Sequence, residues 1–338
     1  SIEMIEAVGQ GVPDSRVGER VWVWNGQWQR PMGTCAQFIA LPAAQAVALP
    51  EGTDFAAGAC MGIPGLTAVQ AVVLAERLGG DLRGQNVLVT GASSAVGHYI
   101  TQMVTQAGGR VIGTVGSEAK AAHAQAAGMQ DAVFYKTESV PQRVKALTQG
   151  RGADVIIDMD FSTTAAWASE GALAPHGQVV CYGSNALEVP LPFRPWLYQS
   201  MGVKFFLVYS LTPTDRLAAV ARLSSLLAAQ QLQHSIGARF ALDQIAQAHR
   251  TVEAGQTVPA DARLLEQIAL HRFRDRDADI SREAAMLGPQ GRAVLALVDN
   301  RDPDAVNRLI EALPESVRRE IDGLNLAFHD LSKLRGRL

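Results

Sequence analysis

The sequence predicts an α/β fold with a doubly wound parallel sheet. From Gln85 onward, short apolar runs rich in β-branched residues alternate with segments of helical periodicity. Strands joined in this way need right-handed crossovers, which put helices on both faces of a parallel sheet. The chain has 338 residues and a net charge of -3, so it can hold two cores and has no basic excess to suggest nucleic acid.

The first part of the chain predicts β structure. Three apolar segments separated by turn residues are expected to be strands, near Ile2–Val8, Val17–Trp24 and Cys35–Ala40. A helix capped by Asp54 follows, with a break between Gly62 and Gly65.

The alternating part predicts six further strands and five helices. The strands are expected near Val87, Val111, Ala132–Tyr135, Val155–Ile157, Val179–Tyr182 and Val203–Tyr209. The helices are expected near residues 97–107, 118–127, 139–149, 162–173 and 214–230. Beyond Pro259 the chain is highly charged and predicts helices, whose mixed-sign charges indicate a solvated face.

The segment after Val87–Val89 is a run of small residues that opens a helix. A pyrophosphate can bind a helix N-terminus only where no side chain blocks the free backbone N–H groups. The three positions that are glycine in the strict dinucleotide pattern are Ala92, Ser94 and Gly97 here. This predicts the mononucleotide half of a Rossmann fold, although a tight turn in another α/β protein could look alike.

The end of the second strand of this unit indicates which dinucleotide would bind. An acidic residue there would bond the adenosine ribose and repel a 2′-phosphate. Instead Ser117 and Lys120 follow the strand, and the next strand ends in Tyr135-Lys136. This favours NADPH over NADH. Glu118 counts against NADPH, but an acid in the first turn of a helix also has an ordinary role with the helix dipole. The alternative for Lys120 is a surface helix lysine.

Cysteine usage and hydropathy indicate the compartment. Cys35, Cys60 and Cys181 are odd in number and far apart, which predicts a reducing cytoplasm and small buried thiols. No Cys-x-x-Cys or His/Cys cluster is present, so no metal is expected. No apolar run approaches the roughly 20 residues that cross a bilayer, and no membrane or nucleic-acid partner is expected.

Several motifs occur together in a specific order. They are Ile63–Ala68, Val89–Gly97, the Ser117 and Lys120 pair, Phe134-Tyr135 and Val180–Ser184. In this order and spacing the chain resembles the zinc-free quinone oxidoreductases, zeta-crystallin-like members of the medium-chain dehydrogenase/reductase superfamily, over roughly residues 3–257. The resemblance implies an NADPH-dependent reductase of quinones or related α,β-unsaturated carbonyls, acting on a small molecule.

The resemblance also implies roles for individual residues. Thr67 would lie beside the nicotinamide as the catalytic residue, the alternative being a helix N-cap. The turn residues Ser93, Ser94, Ala95, Val96 and Gly97 would hold the pyrophosphate. Ser117, Lys120 and Tyr135 would bind the 2′-phosphate. Gly183, Ser184 and Phe206 would flank the nicotinamide, the alternative for Phe206 being plain core.

The chain departs from the family at both ends. It is expected to contain a partial GroES-like catalytic domain at 1–61, a Rossmann domain at 62–229, a return to the catalytic domain at 230–257 and a charged helical tail at 258–338. Because the first strands of the family are absent, weak turnover is expected. The alternative function is a non-catalytic NADPH-binding or interaction protein; a fused hydrolase is disfavoured, because no Gly-x-Ser-x-Gly elbow occurs. An apolar edge strand, Val203–Tyr209, predicts a homodimer.

Overall fold

The computed structural model describes residues 2–30 and 33–253, all within one compact unit, Ser1–Ile268. The predicted charged helices beyond Pro259 lie outside these residues. Within them, no helix is both long and apolar enough to cross a membrane.

The chain begins with a small antiparallel sheet. Its strands are β1 (Ile2–Met4), β2 (Arg20–Val23) and β3 (Ala46–Ala48), in the order β1-β2-β3. The first two strands lie where the sequence predicted them, but the strand predicted at Cys35–Ala40 is wrong. No strand forms over residues 35–40, and Phe38 is 43% exposed, so this apolar run does not supply a core-facing strand.

The second sheet has six strands, all paired in parallel. They are β4 (Asn86–Val89), β5 (Arg110–Val115), β6 (Asp131–Phe134), β7 (Ala153–Asp158), β8 (Leu173–Cys181) and β9 (Gly202–Phe205). Their order is β6-β5-β4-β7-β8-β9. The order reverses between β4 and β7, and ligands bind outside the carboxyl ends of the strands at such a point. The predicted α/β fold is confirmed.

Nine helices lie in the described residues. They are α1 (Phe55–Ala59), α2 (Leu66–Gly79), α3 (Ala95–Gln106), α4 (Glu118–Ala126), α5 (Val140–Leu147), α6 (Phe161–Trp167), α7 (Phe193–Tyr198), α8 (Pro213–Ala228) and α9 (Ile245–Glu253). The predicted cap is confirmed, because an Asp54 carboxylate oxygen accepts from the Ala57 backbone N–H at 2.6 Å. A wide turn, Met61–Gly65, separates α1 from α2 at the predicted break.

Two apolar cores lie on opposite faces of the parallel sheet. Alternate residues of β4 divide between them: Val87 and Val89 pack with α2 and α3, whereas Leu88 packs with α5 and α6. A parallel strand covered on both faces is therefore continuously apolar, as β4 is.

The predicted edge strand Val203–Tyr209 is too long, since β9 ends at Phe205. The Phe206 N–H still donates to the Cys181 carbonyl at 3.1 Å, but two side chains take the carbonyls further on. Arg216 donates to Val208 at 2.6 Å, and Asn25 donates to Tyr209 at 3.1 Å. These side chains replace the backbone partners that a longer strand would need.

Candidate cofactor and substrate site

The turn between β4 and α3 leaves two backbone donors free. Ser94 caps α3, and its hydroxyl oxygen accepts from the Gly97 N–H at 3.0 Å. The N–H groups of Ala95 and Val96 have no partner among the described residues. A helix N-terminus with free N–H groups attracts phosphate through hydrogen bonding and the helix dipole. Ser93 lies half-buried in the same turn.

Gly97 allows the closest contact in this turn. A Cβ built on it would lie 2.2 Å from the Gly91 carbonyl oxygen and 2.9 Å from the Ala92 Cα. These neighbours are backbone atoms and cannot rotate away. Helix α3 can therefore lie this close to the turn only with glycine at position 97.

Met159 lies across the opening between β4 and β7. Its Sδ would be 2.3 Å from a Cβ built on Gly91, yet 42% of the residue is exposed. An unbranched thioether side chain has several rotatable bonds and can adapt to a ligand. Sequence reasoning missed Met159, although a residue directly after a strand at the switch point is a signal that could have found it.

A buried carboxylate joins the ends of these two strands. Asp158 is 0% exposed and accepts from the hydroxyls of Thr90 at 2.9 Å and Thr164 at 2.7 Å. Burial raises the pKa of the Asp158 carboxyl, against the effect of those hydrogen bonds. Sequence reasoning missed Asp158 too; its signal is an acid closing the apolar run Val155–Ile157.

The loops after β7 and β8 are held to each other by Asp160. Its carboxylate accepts from the backbone and the side-chain amide of Asn185, both at 2.9 Å. Burial acts to raise the pKa of the Asp160 carboxyl, but hydrogen bonds, led by that from Ser162, lower this pKa overall. Gly183 and Ser184, predicted beside the nicotinamide, lie along the chain between β8 and Asn185, the residue that bonds Asp160.

Phe206, also predicted beside the nicotinamide, lies just beyond β9. Its ring is half-buried and 6.1 Å from that of Tyr182, which follows β8. The structure therefore brings Phe206 to the same end of the sheet as Gly183 and Ser184. Contact of these three residues with a nicotinamide stays a prediction.

Two of the predicted 2′-phosphate residues, Ser117 and Tyr135, lie next to Gly116, directly after β5. A Cβ on Gly116 would lie 3.1 Å from the Tyr135 hydroxyl and 3.4 Å from Lys136 Cε. The adjoining Ser117 caps α4, and its hydroxyl accepts from the Lys120 N–H at 3.4 Å. We call Gly116, Ser117, Lys120, Tyr135 and Lys136 the rim. In the described part of the chain neither rim lysine forms an ion pair.

Thr67, the predicted catalytic residue, is buried at the start of α2. It is 4% exposed, and its hydroxyl donates to the Ile63 carbonyl at 2.7 Å. The helix N-cap alternative is wrong, because Thr67 lies inside α2 and bonds backward along the chain. The Ile63 residue to which it donates lines a pocket.

That pocket has a volume of about 370 Å³. Residues after β2, the turn before α2 and the segment after β9 line it, among them Asn25, Gln27, Trp28, Thr34, Ile63 and Tyr209. The rings of Trp28 and Tyr209 stack at 4.3 Å with an interplanar angle of 10°. Sequence reasoning missed this pair.

Within the described residues no group of three or more His, Cys, Asp or Glu could hold a metal ion.

The reversed parallel sheet and the open helix N-terminus are typical of dinucleotide-binding oxidoreductases, among them the medium-chain dehydrogenase/reductase superfamily. Residues 95–225 match the family described as zinc-binding dehydrogenase. A quinone oxidoreductase of Pseudomonas aeruginosa is 30% identical over 260 residues, covering 75% of this chain and 77% of that protein. The chain belongs to the quinone oxidoreductase family of this superfamily.

Three further relatives agree with this family. A 2-haloacrylate reductase of Burkholderia is 28% identical and covers 75% of this chain and 76% of that protein. The solved quinone oxidoreductase of Pseudomonas syringae superposes with a TM-score of 0.66 at 28% identity, covering 77% of this chain and 78% of that one. A mycobacterial protein solved with NADPH superposes at 0.65 and 26% identity, covering 76% and 79%.

Proposed function

We propose that this chain reduces quinones or related α,β-unsaturated carbonyl compounds with NADPH as the hydride donor. Relatives named quinone oxidoreductase and 2-haloacrylate reductase support the reaction class, and a structural relative solved with NADPH supports the cofactor. The bound nicotinamide would supply the hydride, so the protein needs no nucleophile of its own.

The residues of the chain would bind and orient that cofactor. The free N–H groups of Ala95 and Val96 fit a pyrophosphate, as does the small turn Ser93–Gly97. Gly183, Ser184 and Phe206 would enclose the nicotinamide. Thr67 would act beside it as a positioning group, because its hydroxyl proton is committed to Ile63.

The rim carries the choice of NADPH over NADH. The Tyr135 hydroxyl and the Lys136 side chain lie beside Gly116, and Ser117 and Lys120 follow at the start of α4. A phosphate in this position would find hydrogen-bond donors and positive charge, and charge-assisted hydrogen bonds are the stronger kind. Ser117, Lys120 and Tyr135 are therefore the proposed 2′-phosphate ligands.

Replacement of Lys120 by alanine tests the rim. We expect wild-type protein to bind NADPH more tightly than NADH in a fluorescence titration. Lys120→Ala should weaken NADPH binding by about tenfold, since a charged hydrogen bond contributes about 1.5–3 kcal/mol, and leave NADH unchanged. Lys145→Ala, an exposed helix lysine outside the rim, is the control. Equal affinities of wild-type protein for the two cofactors would contradict the rim assignment.

A spectrophotometric assay separates the proposed reductase from a non-catalytic NADPH-binding protein. Oxidation of NADPH by 1,4-naphthoquinone at saturating cofactor is expected for the reductase.

Reduced turnover stays a prediction, and so do the domain boundaries at residues 61, 229 and 257 and the cytoplasmic location.

We further propose a homodimer formed through the edge of β9 that has no strand partner among residues 2–30 and 33–253. The exposure of an apolar residue at the end of β9 supports it, since Phe205 is 54% exposed. An unpaired edge strand is a template for pairing with a second copy. Light scattering of the purified protein should give twice the chain mass, and a monomer would contradict the proposal.

A further inference from the structure

We propose, on the footing of the proposed function, that Trp28 is a specificity-determining residue that selects flat, uncharged acceptors. Together with Tyr209 it forms what we call the aromatic wall of the 370 Å³ pocket. Neither ring lies in the nucleotide-binding turn or the rim. Their role would therefore concern the acceptor molecule and not the choice of cofactor.

The pocket lies where an acceptor must reach the predicted nicotinamide position. Ile63 lines it, and the Ile63 carbonyl accepts the hydrogen bond of Thr67. Tyr209 lines it from the segment after β9, three residues beyond Phe206. Two of the predicted nicotinamide neighbours are thus linked to the pocket, Thr67 by a hydrogen bond to a lining residue and Phe206 by a short stretch of chain.

The aromatic wall is held in place before any acceptor binds. Asn25 donates to the Tyr209 carbonyl at 3.1 Å and has a φ of 51°, a left-handed conformation that asparagine tolerates better than most residues. Arg216 donates to the neighbouring Val208 carbonyl at 2.6 Å. Two consecutive carbonyls are therefore fixed by side chains, which limits the loss of entropy when a ring binds.

The stacked geometry suits a planar ligand. Trp28 is 38% exposed, so part of its ring surface stays available although it is stacked on Tyr209. Aromatic rings in offset-stacked or edge-on contact gain free energy beyond the burial of their area. A quinone ring would gain this contact, whereas a short open-chain enone would gain little of it.

None of the described residues that line the pocket is charged. Arg216 is 7% exposed, and its guanidinium lies 4.3 Å over the Trp24 ring and bonds Val208. A carboxylate entering this pocket would lose water without gaining a cation, which is costly. The pocket therefore favours neutral acceptors over anionic ones such as 2-chloroacrylate.

Kinetics with three acceptors test this selection. The acceptors are 1,4-naphthoquinone, which is flat and neutral, methyl vinyl ketone, which is small and neutral, and 2-chloroacrylate, which is anionic. We expect Trp28→Leu to lower kcat/KM for naphthoquinone by about tenfold and for methyl vinyl ketone by less than twofold. Trp28→Phe, the matched control, should retain the naphthoquinone rate within about threefold.

Two measurements keep the test decisive. Calorimetric titration of naphthoquinone into protein saturated with NADP⁺ reports binding without turnover, and the same loss in Trp28→Leu is expected. Gln27→Arg would place a cation in the lining and should raise kcat/KM for 2-chloroacrylate relative to naphthoquinone. An unchanged NADPH affinity and an unchanged melting temperature would show that each variant is folded.

The outcomes separate the selection from the reaction. If wild-type protein neither binds naphthoquinone nor oxidises NADPH with any acceptor, the proposed function fails and the selection with it. If wild-type protein binds naphthoquinone and oxidises NADPH with it, but Trp28→Leu leaves the ratio of kcat/KM for naphthoquinone to kcat/KM for methyl vinyl ketone unchanged, only the role of Trp28 is overturned. A wild-type preference for 2-chloroacrylate would overturn the argument from charge.

Discussion

The β4–α3 turn and the rim would hold two parts of one cofactor, but the turn is packed with backbone atoms and the rim with the ends of side chains. In the turn, a Cβ on Gly97 would meet the Gly91 carbonyl and the Ala92 Cα, both of them backbone. At the rim, a Cβ on Gly116 would meet the ends of the Tyr135 and Lys136 side chains. Tyr135 is 47% exposed and has room to move, whereas Ala92 is 0% exposed.

This difference separates folding from cofactor choice. The backbone atoms of the turn also hold α3 against β4, so a substitution in the turn disturbs the sheet itself. Side chains of the rim can shift or be replaced while the strands stay where they are. We therefore expect changes in the turn to act on stability, and changes at the rim to act on the affinity ratio between NADPH and NADH.

Gly97→Ala is expected to have the largest effect. The added methyl group would overlap backbone atoms that cannot move without displacing α3, and overpacking of this kind costs about 3 kcal/mol. The midpoint of urea unfolding should fall accordingly, and NADPH binding should be lost. Gly9→Ala is the control, because nothing lies within 4 Å of a Cβ at that position. Equal midpoints for both variants would show that the turn is as adjustable as the rim.

The next prediction concerns charge on the helix that starts at the turn. His98 in α3 is 4% exposed and stacks on His123 at 4.6 Å. Burial, and then the proximity of His123, lower the pKa of His98 to about 4. Because the neutral form is favoured in the folded state, stability is retained above the ordinary pKa of 6.5 and lost as the pH falls toward 4.

Wild-type protein should therefore lose about 2 kcal/mol of unfolding free energy through His98 between pH 7.5 and pH 5. His98→Gln should weaken this dependence while keeping a donor for the Gln233 carbonyl, which His98 contacts at 3.1 Å. Some dependence should remain, since burial also lowers the pKa of His123 and of His234. His249→Gln, on an exposed position of α9, serves as the control; identical pH profiles for the two variants would refute the effect.

The turn could be predicted from the sequence because its signal is local. A short apolar strand, three small residues and Gly97 lie within one stretch, and a helix N-terminus needs no distant partner to leave N–H groups free. The rim could be predicted nearly as well, since parallel strands end at one edge and bring Ser117 and Tyr135 together. The buried Asp158 could have been suspected for the same reason.

The aromatic wall could not be predicted in this way. Asn25 and Tyr209 are 184 residues apart, and their contact depends on where β9 ends. The sequence predicts that the strand ends at Tyr209 and not at Phe205, because Val208 and Tyr209 continue its apolar run. Side chains from elsewhere, Arg216 and Asn25, take their carbonyls, and no local pattern reports such partners.

Gly116→Ala is expected to have the smallest effect and is the closest match to Gly97→Ala. The same methyl group would here lie 3.1 Å from the Tyr135 hydroxyl, which can move by a few tenths of an ångström toward solvent. The free energy of unfolding should change by less than about 0.5 kcal/mol, as is usual for surface substitutions. The displaced hydroxyl should weaken NADPH binding by about threefold and leave NADH binding unchanged, because a neutral hydrogen bond contributes about 1 kcal/mol or less. A parallel loss of both affinities would mean that Gly116 supports the sheet and not the phosphate, and the contrast between turn and rim would then be wrong.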